Sequence, residues 1–305
     1  MRNNFLKSPL NYMGGKYGLL SQILPLFPQK IEVFVDLFCG GGNVGINVDC
    51  KKVVFNDSSE CIVKLFESWK KTPSEILVKS IMGLIKKFGL SETSKFGYGF
   101  YGCDSLNGLA KYNREPFAKL KSELNRKKNE KSYTDYLFVA ILYAFNNQIR
   151  FNSKGNFNLP VGKRDFNKVE REKLLRFVNK LHQMDCVFSS SDFKNFDYSK
   201  LTKNDFVYAD PPYLMTNAFY NESKQWTDNE EKMLLMTLDK LNEIGVRFAL
   251  SNVLETKGMK NEILASWIRE RPNLKCHHLI KSYSNSNYQR KGRNSFTDEV
   301  LIINY

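Results

Sequence analysis

Four residues in the stretch FVYADPPY, Phe206 to Tyr213, carry groups that can act together. An apolar run stops at Asp210 and is followed by Pro211, Pro212 and Tyr213. Strand ends in open parallel sheets face the crevice where ligands bind, so the Asp210 carboxylate is expected in an active site. The prolines have no N–H to donate and hold φ fixed, which leaves the carbonyls around them free to accept and keeps the turn rigid. Tyr213 adds a flat face. An exocyclic amine on a nucleobase is a poor nucleophile, because its lone pair is delocalised into the ring. A carboxylate and a backbone carbonyl that together accept both N–H hydrogens favour a pyramidal nitrogen and free that lone pair to attack an electrophilic methyl group. The base must leave a duplex to reach such a pocket, at a cost that stacking on Tyr213 offsets in part.

A second group of residues precedes this one. FCGGGNVG carries Gly40, Gly42 and Gly45 at G-x-G-x-x-G spacing directly after an apolar run, and Asp57 ends the next such run. In a dinucleotide fold the loop would set a pyrophosphate on a helix N-terminus. Asp36 lies just before the loop. A carboxylate there repels a pyrophosphate but suits the cationic ammonium or sulfonium of S-adenosylmethionine. Asp57 is placed to accept hydrogen bonds from ribose hydroxyls of either cofactor, or to cap the helix that follows.

The elements that must hold these groups alternate at both ends of the chain. IEVFVDLF (Ile31 to Phe38) and KKVVFND (Lys51 to Asp57) read as consecutive parallel strands. After Pro160 come CVFSSSDF (Cys186 to Phe193), DFVYADPPY (Asp205 to Tyr213), a helix from about Thr227 to Ile244, and RFALSNV (Arg247 to Val253). A helix near Gly258 to Arg269, then KCHHLIKS and TDEVLIINY, complete the chain. Seven strands alternating with helices predict an α/β fold with a twisted, mostly parallel sheet covered on both faces. The last two strands lack a crossover helix, which predicts a hairpin with one antiparallel strand at or near an edge. Residues 1–60 and 183–305 therefore form the expected catalytic domain. Residues 61–182 read as a mainly helical, basic insertion. YLFVAILYAF (Tyr136 to Phe145) in it is too short to span a bilayer and reads as a buried helix, and KLKSELNRKKNEK (Lys119 to Lys131) as a solvated one.

Composition narrows the partners. The 305 residues carry 46 Lys+Arg against 32 Asp+Glu, a formal charge of +14, which favours a polyanion such as nucleic acid. Six cysteines without a C-x-x-C pair and three histidines argue against a zinc site or a disulfide framework. MRNNFLKSPL has no apolar signal core, so a protein of the cytoplasm without a membrane association is expected.

With these residues in view, the sequence resembles the Dam-like DNA adenine-N6 methyltransferases, the D12 class of the α group. YMGGK (Tyr12 to Lys16), FVDLFCGGGNVG (Phe34 to Gly45), FND (Phe55 to Asp57), SDF (Ser191 to Phe193) and DPPY (Asp210 to Tyr213) occur in the family's order, with the target-recognition insertion before the last two. The resemblance implies a Rossmann-like methyltransferase fold whose insertion contains a β-hairpin. It also implies an S-adenosyl-L-methionine site built from Tyr12, Met13, Gly14, Gly15, Lys16, Asp36, Phe38, Gly40, Gly41, Gly42, Asn43, Asp57, Asp192, Phe193 and Asp210, with S-adenosyl-L-homocysteine as product. Tyr12 stands where the family usually has an aromatic, often Trp. By the same resemblance, IRFNSKGNFNLPVG (Ile149 to Gly162) matches the hairpin that reads DNA, with Asn147, Gln148, Arg150, Asn152, Lys154 and Pro160 at contact positions. Arg suits guanine O6/N7 and Asn suits adenine. Arg290, Lys291 and Arg293, in SYSNSNYQRKGRNSFT (Ser282 to Thr297), would grip phosphates. LMTNAFYNESKQW (Leu214 to Trp226) reads as a lid.

The expectation is thus a site-specific methyltransferase acting on adenine N6 in double-stranded DNA, in a restriction-modification, phage or epigenetic setting. It would act as a monomer, without a metal, with any cognate restriction endonuclease acting separately. Cytosine N4 or RNA as target, a nicotinamide-dependent oxidoreductase and a non-catalytic DNA-binding module are the alternatives.

Overall fold

The computed structural model describes residues 5–104, 106, 108–215, 226–280 and 297–305. Every apolar run expected to be a strand forms one. In chain order they are β1 Val33–Asp36, β2 Lys52–Asn56, β3 Cys186–Ser189, β4 Phe206–Ala209 and β5 Arg247–Thr256, then the two-residue β6 Met259–Lys260, β7 Lys275–Leu279 and β8 Thr297–Ile303. They join in the order β3-β2-β1-β4-β5-β8-β7, with β6 paired to β5 alone. The five strands from β3 to β5 run parallel, whereas β8 is antiparallel to both β5 and β7. The antiparallel strand expected near an edge is β8, one place in from the edge strand β7.

The chain leaves β1 towards β2 and β3 and later returns on the other side to β4 and β5. The gap between β1 and β4 is therefore the topological switch point, where crevices form outside the carboxyl ends of strands. Asp36 ends β1 and Asp210 directly follows β4, so both acids arrive at this point.

Side chains alternate between the sheet's faces with period two. Val35, Val207, Ala209, Phe248 and Leu250 pack under the helices Asp228–Glu243 and Glu262–Arg269. Phe34, Phe55, Phe206, Tyr208, Leu301 and Ile303 belong to the other layer, which runs without a break into the helices Glu60–Lys71 and Lys168–Gln183. Phe66 meets Phe55 and Phe188 of the sheet, and behind it Phe177 bridges the two helices by packing on both Phe66 and Trp69. The helices Ser74–Phe88, Ala110–Arg126 and Tyr133–Tyr143 stack beyond them. Nine of the eleven residues of Tyr133–Tyr143 are buried, as its uninterrupted apolar run requires. No helix among the described residues is long and apolar enough to cross a membrane.

One local expectation is corrected. Residues 257–261 do not open a helix. Lys257 and Gly258, with φ of 51° and 77°, form the two-residue turn joining β5 to β6, and the helix starts only at Glu262. Two successive positive φ values are what a type I′ hairpin turn needs. The glycine loop after β1 is not followed by an α-helix either. A single 3-10 turn, Gly45–Asn47, is all that intervenes before β2. There is accordingly no helix N-terminus at this loop to hold a pyrophosphate.

Candidate active site

The loop at the switch point is shaped by what crowds it. Gly40 has φ +47° and the ring of Tyr12 beside it, so that a Cβ there would stand 2.7 Å from Tyr12 Cδ1. A Cβ on Gly45 would stand 2.5 Å from Phe55 and 3.0 Å from Asp36. The first glycine thus admits Tyr12 and the third admits the strand behind. Gly42, expected at the cofactor, instead backs onto Phe66 and Phe177 with φ +71° and does not line the cavity. Its role is to pass the loop over the helical layer.

Above the loop lies a cavity of about 720 Å³, within the range typical of small-molecule sites. Apart from Gly42, every residue expected at the cofactor lines it, from Tyr12–Lys16 and the Asp36–Asn43 segment to Asp57, Asp192, Phe193 and Asp210. The amide of Asn56 fastens three strand ends below it. It donates to the carbonyls of Leu37 and Ser191 at 2.9 and 3.0 Å, and its oxygen accepts from Ser191 N–H at 3.1 Å. This clamp presents Asp192 at the rim, where its carboxylate caps Lys194 N–H at 3.1 Å. Phe38 and Phe193 make an aromatic wall with Trp226, ring centroids 5.6 to 5.8 Å apart.

Three of the carboxylates lining this space have pKa values raised by burial. Asp36 is 1% exposed and accepts from Gly45 N–H at 3.0 Å, and burial pushes its pKa up to about 8. Asp57 accepts from Gly40 N–H at 2.9 Å through one oxygen and from Ser59 N–H at 2.8 Å through the other. Burial raises its pKa as well, against the lowering effect of these two bonds. Asp57 therefore both caps the turn before the helix Glu60–Lys71 and lines the cavity, so the cap and the cavity role are compatible. Burial also raises the pKa of Asp210, with Lys16 pulling the other way. A cavity that holds three acids at such cost is suited to a cation and hostile to a pyrophosphate.

Among the described residues, the Asp210 carboxylate is engaged through one oxygen. Lys16, 2% exposed, brings its ammonium to 2.7 Å from Asp210 Oδ1 while donating to Gly14 O at 3.0 Å. Tyr213 donates its hydroxyl to the same Oδ1 at 3.1 Å, and the ammonium lies 5.0 Å from the ring centroid. Oδ2 accepts no hydrogen bond from the described residues. Lys16, expected as a cofactor contact, is thus also the ion-pair partner of the acid.

The hairpin stands at the cavity mouth, because Gln148, Ile149 and Phe151 contribute to the lining. Only two isolated bridges, Phe151 with Phe157 and Ala144 with Val161, define it. Several residues expected to touch DNA have structural engagements. Asn147, at φ 53°, donates its amide to Leu142 O at 2.5 Å, closing the helix Tyr133–Tyr143. Asn152 accepts from Lys154 and Asn156 N–H at 3.0 Å each and shapes the tip. Arg150 holds Asn158 Oδ1 at 2.8 Å. Lys154 and Pro160 are exposed. Arg290, Lys291 and Arg293 lie outside the described residues, as do residues 216–225 of the segment read as a lid.

Sequence reasoning missed Glu299 of β8 and the role of Trp226, both of which line the cavity. The signal for the first was an acid inside the otherwise apolar strand TDEVLIINY. For the second it was a tryptophan where the post-DPPY segment meets a helix. Among the described residues, no group of three or more His, Cys, Asp or Glu side chains is placed to hold a metal ion.

The model of the D12 class N6 adenine-specific DNA methyltransferases matches residues 12–285. The chain is 42% identical over 307 residues to the Streptococcus sanguinis protein named modification methylase StsI. It is 41% identical over 309 residues to the Planomicrobium okeanokoites type II methyltransferase M.FokI. Both alignments cover 99% of this chain and 43% of the relative, so the chain spans less than half the length of these relatives. A DNA adenine methylase of Haemophilus influenzae is 26% identical over 209 residues, 67% of this chain and 63% of that protein. The matched span takes in Tyr12 to Lys16, the glycine loop, Asp57 and the DPPY ending, the groups that the fold gathers around one cavity. The chain belongs to the D12 class N6 adenine-specific DNA methyltransferases.

Proposed function

We propose that this chain transfers a methyl group from S-adenosyl-L-methionine to the exocyclic N6 of an adenine swung out of a short duplex recognition sequence. The observation that carries the proposal is the one-sided engagement of Asp210. Lys16 and Tyr213 both bind Oδ1, which leaves Oδ2 to accept an N–H of the target amine. Pro211 and Pro212 have no N–H to compete, so a neighbouring backbone carbonyl is left for the second hydrogen. With both hydrogens held, the nitrogen lone pair is released from the ring for in-line attack, and the methylated nitrogen then gives up one of those hydrogens as a proton, through Asp210 or directly, to solvent.

The residues present fit the cofactor. When bound, S-adenosyl-L-methionine supplies an electrophilic methyl group on a sulfonium that leaves as a neutral thioether. Asp36 offers a buried anion to its cationic end, Asp57 offers acceptors to ribose hydroxyls, and Phe38, Phe193 and Trp226 offer an apolar wall to its adenine. Gly40 and Tyr12 fix the floor of the site. Lys16 favours the ionised form of Asp210 against the opposing effect of burial, and the ionised form accepts from an amine.

Residues 61–182 act as the target-recognition unit, with the hairpin at the cavity mouth and the formal charge of +14 favouring duplex DNA as partner. Two relatives carry the names modification methylase and type II methyltransferase, which supports a modification role alongside a separate endonuclease. The test is nucleoside mass spectrometry on duplex DNA incubated with the protein and labelled S-adenosylmethionine. N6-methyladenine from the wild type and none from Asp210→Ala, with DNA binding retained, is the expected result. N4-methylcytosine, label in RNA alone, or an Asp210→Ala variant with more than a few per cent of the wild-type rate contradicts the proposal.

A further inference from the structure

We propose that Glu299 is a positioning residue for methyl transfer: it holds the Lys16 ammonium and the Tyr213 hydroxyl on one side of Asp210, so that the other carboxylate oxygen stays open to the target amine. The inference rests on the function proposed above. Glu299 lies on β8, on the same face as Leu301 and Ile303, where it is 1% exposed. A carboxylate among buried aliphatic side chains is costly, and a strand serving only to pack would carry an apolar residue there.

Its placement is specific. Glu299 pairs with Val253 of β5 at the point where the register of the β5–β8 ladder shifts, between Val253 and Glu255. Such irregularities beside active sites re-aim a side chain. The result is that Glu299 Oε1 stands 3.5 Å from Lys16 Nζ and accepts from the Tyr213 hydroxyl at 3.2 Å. One ammonium and one phenol are thereby shared by two carboxylates reaching in from β4 and β8. Without the charge of Glu299, Lys16 is drawn wholly to Asp210 and can straddle both of its oxygens, competing with the amine for Oδ2. Tyr213 at the same time loses the Glu299 anchor of its hydroxyl. The negative charge of Glu299 also raises the pKa of Asp210, against the effect of Lys16.

The experiment compares wild type, Glu299→Gln and Glu299→Asp in single-turnover methylation of duplex DNA across pH. Rates are normalised to cofactor sites counted by calorimetry, so that a folding loss does not register as slow chemistry. Glu299→Gln should lower the rate at saturation about tenfold or more, with dissociation constants for S-adenosylmethionine and DNA within about threefold of wild type. Its acid limb should move to lower pH, because removing the neighbouring charge makes Asp210 the stronger acid. Glu299→Asp should recover part of the rate. An unchanged normalised rate, or a reduced rate with an unmoved acid limb, overturns the inference while leaving the active wild type to support methyl transfer. A wild type that methylates no nucleic acid removes the underlying function and the inference with it.

Discussion

Asp36 should make the cofactor-free protein less stable as pH rises. Its side chain is 1% exposed and its pKa is pushed from 3.8 to about 8 by burial, with Asp210 and Asp57 adding to the rise. Between those two values the folded state retains a proton that the unfolded chain has released. Linkage then requires stability to fall with pH throughout that window and to level off above about 8. Each unit corresponds to about 1.4 kcal/mol, so moving from pH 5.5 to pH 7.5 should cost the wild type about 3 kcal/mol more than it costs Asp36→Asn. Asparagine keeps an acceptor for Gly45 N–H, so the variant removes the titration and retains the hydrogen bond. Urea denaturation of both proteins at the two pH values measures the difference. A bound cation reverses the logic by favouring the ionised form. Affinity for S-adenosylmethionine should therefore rise by up to about tenfold per unit as pH increases towards 8, and Asp36→Asn should abolish this rise. Parallel stability curves for the two proteins, or a pH-independent affinity in the wild type, would refute the assignment of Asp36 to the cationic end of the cofactor.

Gly40→Ala combines a left-handed backbone, worth about 1 to 2 kcal/mol, with a Cβ 2.7 Å from the Tyr12 ring, and should weaken cofactor binding about tenfold or more by calorimetry. Gly41→Ala is the control, because the contacts its Cβ would make begin at 3.3 Å and its φ is ordinary; an equal loss in both variants would contradict the account of the loop. Arg150→Ala should lower preference at one base pair by about 1 to 3 kcal/mol in a binding series of substituted duplexes. Equal weakening on every duplex would instead assign Arg150 to the hairpin bond with Asn158 or to a phosphate.

The acids at the strand ends were legible in the sequence because they depend on local signals. A short apolar run ending in Asp36, Asp57 or Asp210 fixes both the strand and the end at which the carboxylate emerges. The seven strands and the antiparallel pairing of β8 were legible for the same reason. The backbone beyond the glycine loop was not, since G-x-G-x-x-G spacing is shared by loops that open an α-helix and by this one, which makes a single 3-10 turn before β2. The turn at Lys257 and Gly258 reads as the beginning of a helix because the apolar positions of Glu262–Arg269 lie close behind it. Glu299 is noticeable as an acid in an apolar strand, but its meeting with Lys16 depends on a register shift in the β5–β8 ladder that no local pattern encodes. The bonds that occupy Asn147 and Asn152 are likewise tertiary details of a hairpin whose existence, though not whose internal wiring, the sequence announces.

The most direct measurement is sequencing, by a method that identifies N6-methyladenine, of plasmid DNA recovered from methylation-deficient cells that express this chain. Modified adenine confined to one short motif, and absent when Asp210→Ala is expressed instead, is the predicted result. Unmodified DNA from cells in which the chain is well expressed and binds S-adenosylmethionine would contradict the assignment of duplex adenine as its target.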